Sequence, residues 1–365
     1  MTFVLREHIR AAFAPPKYLA LPLAGIDLST SGVKAVRLIE GTHGLTLAGY
    51  VDVRLPSGAF ADGEIINHDA VAESLSNAAA SVGISAANIA LPESKSYLFE
   101  TAVPGTKKDE WRIAVEQHLD EFVPLPPPET VFDVVKVGQD ERGDALVTGI
   151  GFARRIIDDT LSVFDKAGIR VQALEGETFA SSRALLHRGD ESTALIIDVG
   201  RATTKIFIVS KCVPRFATTI GFGGHSLTLA VQKHFGVTEA EARKIKAERG
   251  IVPVPGNEDY LAAMLSTVSA IRDEISTRLE YWQEKARTSK MHALVTHAIL
   301  VGGNASVRGF SEYLEGALKI PVVSGDVFIN LASRDEWIPS LDYTESLAYA
   351  TAIGLALRDD IQTYE

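Results

Sequence analysis

The sequence lacks the features of a secreted, membrane-spanning or nucleic-acid-binding protein. It has a single cysteine, Cys212, so no disulfide can form within the chain. No apolar run approaches the ~20 residues that a membrane-spanning helix needs, and charged residues interrupt residues 1–20, where the core of a signal peptide would lie. A net charge of −11 argues against a nucleic-acid partner, which requires a basic surface. We therefore expect a soluble cytoplasmic protein that does not bind nucleic acid.

The sequence does contain enough hydrophobic residues to form sizeable cores. Hydrophobic residues make up 46% of its 365 residues, which indicates two domains or one large bilobed domain. The apolar spacing of residues 3–13 predicts a short amphipathic helix that either folds onto the body or touches a membrane. Residues 85–155 read as an α+β insert, with one helix at 107–123. A polar link at residues 188–192 separates the two halves.

Strands and helices follow each other in a way that predicts an α/β fold in both halves. Each half opens with consecutive strands, at residues 23–55 and 193–219, and helices come later. Outside the insert, the predicted helices lie at residues 68–82, 155–167, 177–187, 224–236, 238–249, 257–287, 309–318 and 343–358.

One short pattern occurs twice. Residues 25–38 read GIDLSTSGVKAVRL, and residues 196–209 read IIDVGRATTKIFIV. In each copy an Asp ends an apolar segment, small residues follow, and a Lys comes seven positions after the Asp. Asp27 and Lys34 therefore match Asp198 and Lys205. One copy alone is typical of an ordinary β-hairpin, but two copies that open the two halves favour a shared function.

The repeated pattern suits a site for a phosphate and its metal ion. Small residues in a tight turn let backbone amides approach an anion closely. An Asp repels phosphate, but it can hold a hydrated Mg²⁺, which takes one or two carboxylates and keeps most of its waters. Two such hairpins facing each other would enclose a polyphosphate. Gly302-Gly303, between a predicted buried strand and a helix, would let a ligand lie against the backbone, although a plain strand-to-helix turn also favours glycine.

Four segments, in this order, resemble the actin-like ATPase superfamily. The two copies of the pattern resemble its phosphate motifs, residues 298–310 its adenosine motif, and residues 345–358 its final connecting helix. The resemblance implies an α/β, actin-like (ribonuclease H-like) bilobed fold of two duplicated α/β subdomains with a small α+β insert. The expected divisions are an N-terminal extension at 1–22, a first lobe at 23–190 with the insert at about 85–155, and a second lobe at 191–365 with an adenosine-binding subdomain at about 225–300.

Within that superfamily the chain resembles the PilM family of type IV pilus assembly proteins, through residues 88–135 and 175–186. The resemblance implies a scaffold that binds ATP and Mg²⁺ and that binds the N-terminal peptide of PilN, a single-pass inner-membrane protein. It implies recruitment to the inner face of the cytoplasmic membrane through that partner, contacts with other pilus assembly proteins, and self-association as a further option. The groove for the peptide would lie between the first lobe and the insert.

Four apolar side chains are candidates for that groove: Leu98, Phe99, Trp111 and Phe122. Trp111 and Phe122 fall on one helical stripe, a pattern that is more typical of a protein core. We therefore expect the insert to take part in peptide binding and assign these four residues to the groove only as candidates.

Two other functions of the same fold compete with this interpretation. FtsA-like cell-division adaptors share the insert, but they end in an amphipathic membrane helix, which the segment LRDDIQTYE does not resemble. A sugar or acetate kinase needs an Asp base beside a polar substrate cleft, for which only Asp133 can be nominated. Stimulation of ATP turnover by a small sugar or acid would favour the kinase.

The resemblance assigns roles to individual residues. Asp27 and Asp198 would hold Mg²⁺, and a catalytic carboxylate that orients water would be Glu175 or Glu177, each of which is equally typical of a surface residue. The residues expected to contact the nucleotide are Asp27, Ser29, Thr30, Ser31, Lys34, Asp198, Gly200, Thr203, Thr204, Glu241 with Lys244 or Lys246, Gly302, Gly303 and Asn304. The segment around Glu241 is equally typical of an exposed, charged helix face.

The first phosphate turn departs from the family pattern. Relatives often have Asp-x-Gly there, whereas this chain has Asp27-Leu28-Ser29. A Cβ at Ser29 limits how closely the backbone approaches a phosphate. We expect the Ser29 hydroxyl to bind phosphate instead, with Gly32 supplying backbone freedom later in the turn. We do not expect fast ATP hydrolysis.

Overall fold

A computed structural model of the chain describes residues 22–105, 107–289 and 291–358. The helix predicted at residues 3–13 lies outside them. In chain order, the strands are Leu23–Ser29 (β1), Gly32–Gly41 (β2), Gly44–Val53 (β3), Phe60–Ala61 (β4), Glu64–Ile65 (β5), Ala86–Leu91 (β6), Ser96–Val103 (β7), Thr130–Gln139 (β8), Ala145–Ala153 (β9), Arg170–Gly176 (β10), Thr193–Val199 (β11), Thr204–Ser210 (β12), Val213–Ile220 (β13), His297–Val301 (β14) and Val322–Ser324 (β15).

The α-helices lie between groups of these strands. They are His68–Val82 (α1), Lys108–Glu116 (α2), Leu119–Phe122 (α3), Arg154–Lys166 (α4), Glu177–Leu185 (α5), Gly224–Phe235 (α6), Glu239–Arg249 (α7), Glu258–Thr288 (α8), Phe310–Leu318 (α9), Tyr343–Ser346 (α10) and Ala350–Ala356 (α11). The helices predicted at 68–82, 155–167, 177–187, 224–236, 238–249, 257–287 and 309–318 are thus present within two residues of their expected ends.

Two five-stranded sheets have the same plan. Their strand orders are β3-β2-β1-β6-β10 and β13-β12-β11-β14-β15. In each sheet the first three strands in chain order form an antiparallel meander. The fourth strand pairs in parallel with the first strand of the meander, and the fifth pairs in parallel with the fourth. The two halves of the chain therefore repeat one α/β unit, as the repeated pattern predicted.

The insert forms its own antiparallel sheet, with the order β7-β9-β8. Helices α2 and α3 pack on it, and together they enclose a separate core that contains Val115, Leu119 and Val147. The single helix predicted at residues 107–123 is wrong, because His118 has φ −126° and ψ 21° and so interrupts the helical path. This break lets Leu119 turn into the core of the insert, where it is 2% exposed.

The helix predicted at residues 343–358 is also interrupted. A single 3₁₀ turn at Leu347–Tyr349 separates α10 from α11. At this interruption the Leu347 carbonyl accepts a hydrogen bond from Gly302 N at 3.0 Å. Helix α11 returns to the first half, where Asn88 Nδ2 donates to Leu355 O at 3.0 Å and Arg183 donates to Gly354 O at 2.8 Å.

Candidate functional site

The repeated pattern forms two hairpins with the same strand register. Asp27 lies opposite Lys34 across β1 and β2, and Asp198 lies opposite Lys205 across β11 and β12. The first turn is Thr30-Ser31, whereas the second spans residues 200–203 and is closed by the Gly200 N–H, which donates to Thr203 O at 2.9 Å. The spacing of seven residues thus places each Lys beside its Asp on the neighbouring strand.

Both hairpins line one cavity of about 890 Å³ between the two sheets. Of the residues predicted to bind a nucleotide or its metal, those that line this cavity are Asp27, Ser29, Thr30, Ser31, Lys34, Asp198, Gly200, Thr203, Gly302, Gly303 and Asn304. The structure thereby brings together side chains that are up to 277 positions apart in the sequence, from Asp27 to Asn304.

Asp27 is the most unusual of these residues. Its side chain is buried, and its Oδ1 atom has no hydrogen-bond partner among the described residues. Burial and the neighbouring Glu177 carboxylate raise the pKa of Asp27 from 3.8 to about 6, against the opposing effect of Lys205 and Lys34. An unpaired buried carboxylate is costly unless a cation compensates it, so Asp27 is suited to hold one.

Asp198 faces a lysine of its own hairpin. Lys205 Nζ lies 3.7 Å from Asp198 Oδ2 and 2.9 Å from Glu177 Oε1. Burial raises the pKa of Asp198, and Lys205 opposes this rise. Burial alone would lower the pKa of Lys205, but Glu177, Asp198 and Asp27 together raise it above its usual value. The ammonium of Lys205 and these carboxylates thus form one coupled group in the cavity.

The structure separates the two candidate catalytic carboxylates. Glu177 lines the cavity, and its Oε2 accepts a hydrogen bond from Glu93 N at 2.9 Å. Glu175 does not line the cavity, since Arg183 donates to its Oε2 at 2.9 Å and Arg358 Nη1 lies 3.7 Å from the same atom. We therefore correct the choice between them: Glu175 is held in an ion-pair cluster elsewhere, and Glu177 alone is placed to act on a ligand.

Glu93 is a buried acid that sequence reasoning missed. It lines the cavity, and burial raises its pKa from 4.5 to about 7. Ser96 and Thr178 donate hydrogen bonds to its two oxygens at 2.6 and 3.1 Å. No motif marks this residue in the sequence; only the packing of the β6–β7 connection against α5 places it in the site.

Gly302 lets the β14–α9 connection approach the second hairpin. It has φ +98°, and a Cβ there would lie 2.3 Å from Asp198 Oδ1. Asn304 reinforces this approach, because its Nδ2 donates to Gly200 O at 3.0 Å. The connection and the second hairpin turn therefore form a single wall of the cavity.

Helix α7, which was predicted to contact ribose and base, directs Lys246 and Arg243 to the cavity rather than Glu241 and Lys244. Lys246 lines the cavity and donates to Asn304 Oδ1 at 2.9 Å and Gly224 O at 3.1 Å. Burial, with a smaller effect from Arg243, lowers the pKa of Lys246 to about 8. Arg243 also lines the cavity. One face of α7 thus supplies a buried ammonium and a guanidinium to this side of the cavity.

Glu241 and Lys244 do not line the cavity, and both predictions are corrected. The Glu241 carboxylate accepts from Thr238 N at 2.9 Å and Oγ1 at 2.8 Å, which is the capping arrangement at the start of α7. Lys244 is 77% exposed and lies 3.9 Å from Glu248 on the outer face of α7. Of the two alternatives left open for the lysine, Lys246 is the one at the cavity.

Thr204 is a third residue that the structure places elsewhere. Its hydroxyl donates to Phe222 O at 2.7 Å, and its side chain is fully buried. As the first residue of β12, it points away from the turn and holds the segment that follows β13. Thr203, its neighbour, does line the cavity.

The first turn contains backbone of the kind that the sequence suggested at Gly32. Gly32 has φ +148°, and a Cβ there would lie 2.5 Å from Val53 O. Ser29 and Ser31 hydroxyls hydrogen-bond to each other at 2.8 Å, and Lys34 Nζ donates to Ser31 Oγ at 3.1 Å. The turn therefore presents hydroxyls and an ammonium to the cavity.

The donor set at Asp27 and Asp198 fits a hydrated Mg²⁺. Within the described part of the chain, no group of three or more His, Cys, Asp or Glu residues is arranged to hold a metal ion. Mg²⁺ nevertheless commonly takes its ligands from one or two carboxylates, several waters and the phosphates of a substrate. The orphaned Oδ1 of Asp27 supplies one such ligand atom.

The structure places the four apolar residues suggested for a peptide groove in different surroundings. Phe99 and Phe122 stack with ring centroids 4.7 Å apart, and Trp111 is 9% exposed and donates to Gly105 O at 2.9 Å. Trp111 belongs to the core of the insert, and the partly buried Phe99 and Phe122 pack against that core. Leu98 lines the large cavity. Of the four, only Trp111 is buried and so unsuited to line a groove, and the other three stay candidates.

A buried charge cluster joins the insert to the second half. Glu100 on β7 hydrogen-bonds to Arg215 on β13, to His292 at 2.7 Å and to Lys285 at 3.2 Å. Burial alone would raise the pKa of Glu100, but Arg215, His292 and Lys285 hold it below its usual value. Strand β13 also lines the cavity through residues 217–220. The insert and the cavity therefore share a structural element.

Across residues 22–105, 107–289 and 291–358, we find no helix that is both long and apolar enough to cross a membrane.

Comparisons with known proteins agree with this architecture. The sequence model of a family described as type IV pilus assembly protein PilM matches residues 25–360. A solved structure described as a PilM-PilN type IV pilus biogenesis complex superimposes with a TM-score of 0.75, at 19% identity over 92% of this chain and 97% of that chain. MreB 5 of Spiroplasma citri bound to AMPPNP gives a TM-score of 0.53, at 14% identity over 87% and 94%. These structures confirm the actin-like α/β fold.

Proposed function

The chain belongs to the PilM family of type IV pilus assembly proteins, and from this premise we propose that it is an ATP- and Mg²⁺-binding scaffold that binds the N-terminal peptide of a PilN-like membrane protein. The lobes at residues 23–190 and 191–365 would close on the nucleotide and set the position of the insert. Recruitment to the inner face of the cytoplasmic membrane would then occur through the partner.

One observation carries the nucleotide part of this proposal. Two hairpins of identical register, each with an Asp near its turn, line a single cavity. In this cavity the Asp27 Oδ1 atom is buried and has no hydrogen-bond partner in the described part of the chain. The hydroxyls of the first turn and Lys34 supply donors for phosphate oxygens. Gly302, Gly303 and Asn304 also line the cavity, and the adenosine would lie against them. When bound, Mg²⁺ would neutralise phosphate charge.

Isothermal titration of the protein with Mg-ATP tests the nucleotide part. Lys246→Met and Lys244→Met form a matched pair, since both lysines lie on α7 but only Lys246 lines the cavity. We expect one ATP site per chain, weaker binding in the Lys246→Met variant, and wild-type binding in the Lys244→Met variant. Equal losses in both variants, or no binding by the wild type, would contradict the proposed site.

The partner part rests on the family and on the link between cavity and insert. A structure related to this chain is described as a PilM-PilN complex, so a PilN-like peptide is the partner to test. Strand β13 lines the cavity and holds the insert through the Arg215–Glu100 ion pair. A change of nucleotide state that moves β13 would therefore be transmitted to the insert.

Co-purification with the PilN-like N-terminal peptide, with and without Mg-ATP, tests the partner part. We expect the peptide to be retained, and its affinity to change when Mg-ATP is added. Glu100→Gln should reduce this dependence on nucleotide while leaving ATP binding in place, because Glu100 does not line the cavity. Failure of the wild type to retain the peptide in either condition would exclude this partner.

A further inference from the structure

Lys246 on α7 is a buried cation whose two hydrogen-bond acceptors are both neutral. The residue is 8% exposed, and its Nζ donates to Asn304 Oδ1 at 2.9 Å and to Gly224 O at 3.1 Å. Burial and the like charge of Arg243 lower the pKa of Lys246 to about 8. Because burying a charge is costly, these two acceptors indicate what the ammonium does.

The first acceptor links Lys246 to the turn of the second hairpin. An ammonium donates hydrogen bonds and accepts none, so the side-chain amide of Asn304 directs its oxygen to Lys246. The amide nitrogen then faces the turn and donates to Gly200 O at 3.0 Å. Without the ammonium, the amide could rotate and place its oxygen against Gly200 O, where two acceptors repel each other. Lys246 therefore fixes the orientation of Asn304.

The second acceptor bonds to the same carbonyl. Gly224 begins α6, and its N–H donates to Gly200 O at 2.9 Å. The next N–H of α6, that of His225, donates to Arg201 O at 2.8 Å. Both residues that accept from Lys246 thus hold Gly200 O, which is the first carbonyl of the turn at residues 200–203.

The position of Gly200 O decides where the turn presents its next donor. This peptide is trans, so its C=O and the following N–H point to opposite sides, and the Arg201 N–H points away from Asn304 and Gly224. In the described part of the chain this N–H has no hydrogen-bond acceptor, and Arg201 lines the cavity. An unpaired backbone N–H in such a turn is a donor for a phosphate oxygen.

We propose that Lys246 is a positioning residue for the second phosphate turn, which holds Gly200 O through Asn304 and Gly224 so that the turn binds nucleotide phosphates. This inference rests on the proposed nucleotide-binding function. It differs from the contact with ribose and base that the resemblance implied for α7, because the hydrogen bonds of Lys246 lead to the turn. Loss of Lys246 therefore weakens the binding of the phosphates and leaves that of the adenosine.

The test compares the dissociation constants of ATP and AMP, measured by titration in Mg²⁺. Lys246→Met should weaken ATP binding by about tenfold or more, as expected for hydrogen bonds from a charged group, and AMP binding by less than about threefold. Arg243→Met is the matched control. It removes the same charge from the same helix and cavity, but Arg243 bonds to Glu239 on α7, so both nucleotides should be weakened by a similar factor.

A double-substitution cycle tests the path through Asn304 with ATP alone. Asn304→Ala removes the amide between Lys246 and Gly200 O, so adding Lys246→Met should weaken ATP binding by less than about threefold further. Losses that multiply would mean independent effects and would overturn the path. If Lys246→Met does not fold, Lys246→Gln replaces it with the same expectations, since a Gln amide can accept as well as donate and no longer fixes Asn304.

The outcomes separate the inference from the proposed function. Equal factors for ATP and AMP in Lys246→Met would overturn the inference, while ATP binding by the wild type would still support the nucleotide site. A selective loss of ATP binding of the same size in Arg243→Met would also overturn it, because general attraction between charges would explain both. If the wild type binds neither nucleotide, the proposed function itself fails.

Discussion

Replacing Asp27 with Asn should stabilise the nucleotide-free protein and abolish its response to Mg-ATP. The Asp27 carboxylate is buried, and burial with the nearby Glu177 raises its pKa from 3.8 to about 6. A difference of about two units corresponds to about 3 kcal/mol of unfavourable free energy for the ionised form. Asn removes the charge but keeps the size, so we expect a gain of about 1–3 kcal/mol in the free energy of unfolding near pH 7.5.

The sign of this effect changes with pH in a defined way. A carboxyl group whose pKa is raised by folding binds its proton more tightly in the native state, so stability falls as the pH rises from 3.8 to about 6. The penalty is absent below that window and complete above it. The advantage of Asp27→Asn should therefore be present at neutral pH and disappear near pH 4.

Urea unfolding across this pH range measures the stability gain, and thermal unfolding with Mg-ATP measures the binding loss. Ligand at about 100 times its Kd should stabilise the wild type by about 2.7 kcal/mol and the variant hardly at all. Asp52→Asn is the control, since Asp52 also lines the cavity but its side chain is 44% exposed. If Asp27→Asn is less stable than the wild type at neutral pH, the charge at Asp27 is already compensated and our reasoning is refuted.

Two further substitutions test the packing around the cavity. Gly302→Ala should destabilise the protein by about 1–3 kcal/mol in urea unfolding, since Gly302 has φ +98° and the added Cβ would lie 2.3 Å from Asp198 Oδ1. Gly316→Ala, in open space on α9, should be neutral or stabilising. Equal effects of the two substitutions would contradict the tight packing at Gly302. Glu100→Gln should cost about 3–5 kcal/mol at neutral pH because it breaks a buried ion pair. This cost should shrink as acid protonates Glu100, whose pKa is lowered in the native state. Glu64→Gln, at a partly exposed pair, should cost at most about 1 kcal/mol, and a larger loss there than at Glu100 would contradict the ranking by burial.

The twin hairpins were predictable because their geometry is local. A Lys seven positions after an Asp, with small residues between, fixes which residues face each other across a two-stranded hairpin, and the register of Asp27 with Lys34 and Asp198 with Lys205 follows. Gly302 was predictable for the same reason, since a strand-to-helix connection at a ligand wall favours glycine. The superfamily was predictable from the order of such local motifs and the family from residues 88–135 and 175–186. The PilM match supports this family over the FtsA-like alternative.

The rest of the site depends on packing between distant segments. Glu93 reaches the cavity because the segment before β7 packs against α5, and no local pattern records this contact. Lys246 rather than Lys244 lines the cavity because α7 is oriented so that Lys246 bonds to Gly224 O and Asn304 Oδ1. Glu241 and Thr204 were assigned to the site because of their positions in the family motifs. In the structure Glu241 caps α7 at Thr238, and the Thr204 hydroxyl donates to Phe222 O, so neither residue lines the cavity.

A structure determined with Mg²⁺ and a non-hydrolysable ATP analogue tests the central claim most directly. We predict one nucleotide per chain, with its phosphates between the turns at Thr30-Ser31 and residues 200–203 and its adenosine beside Gly302-Gly303. A nucleotide bound at any other surface, or phosphates that contact one hairpin only, would contradict the account.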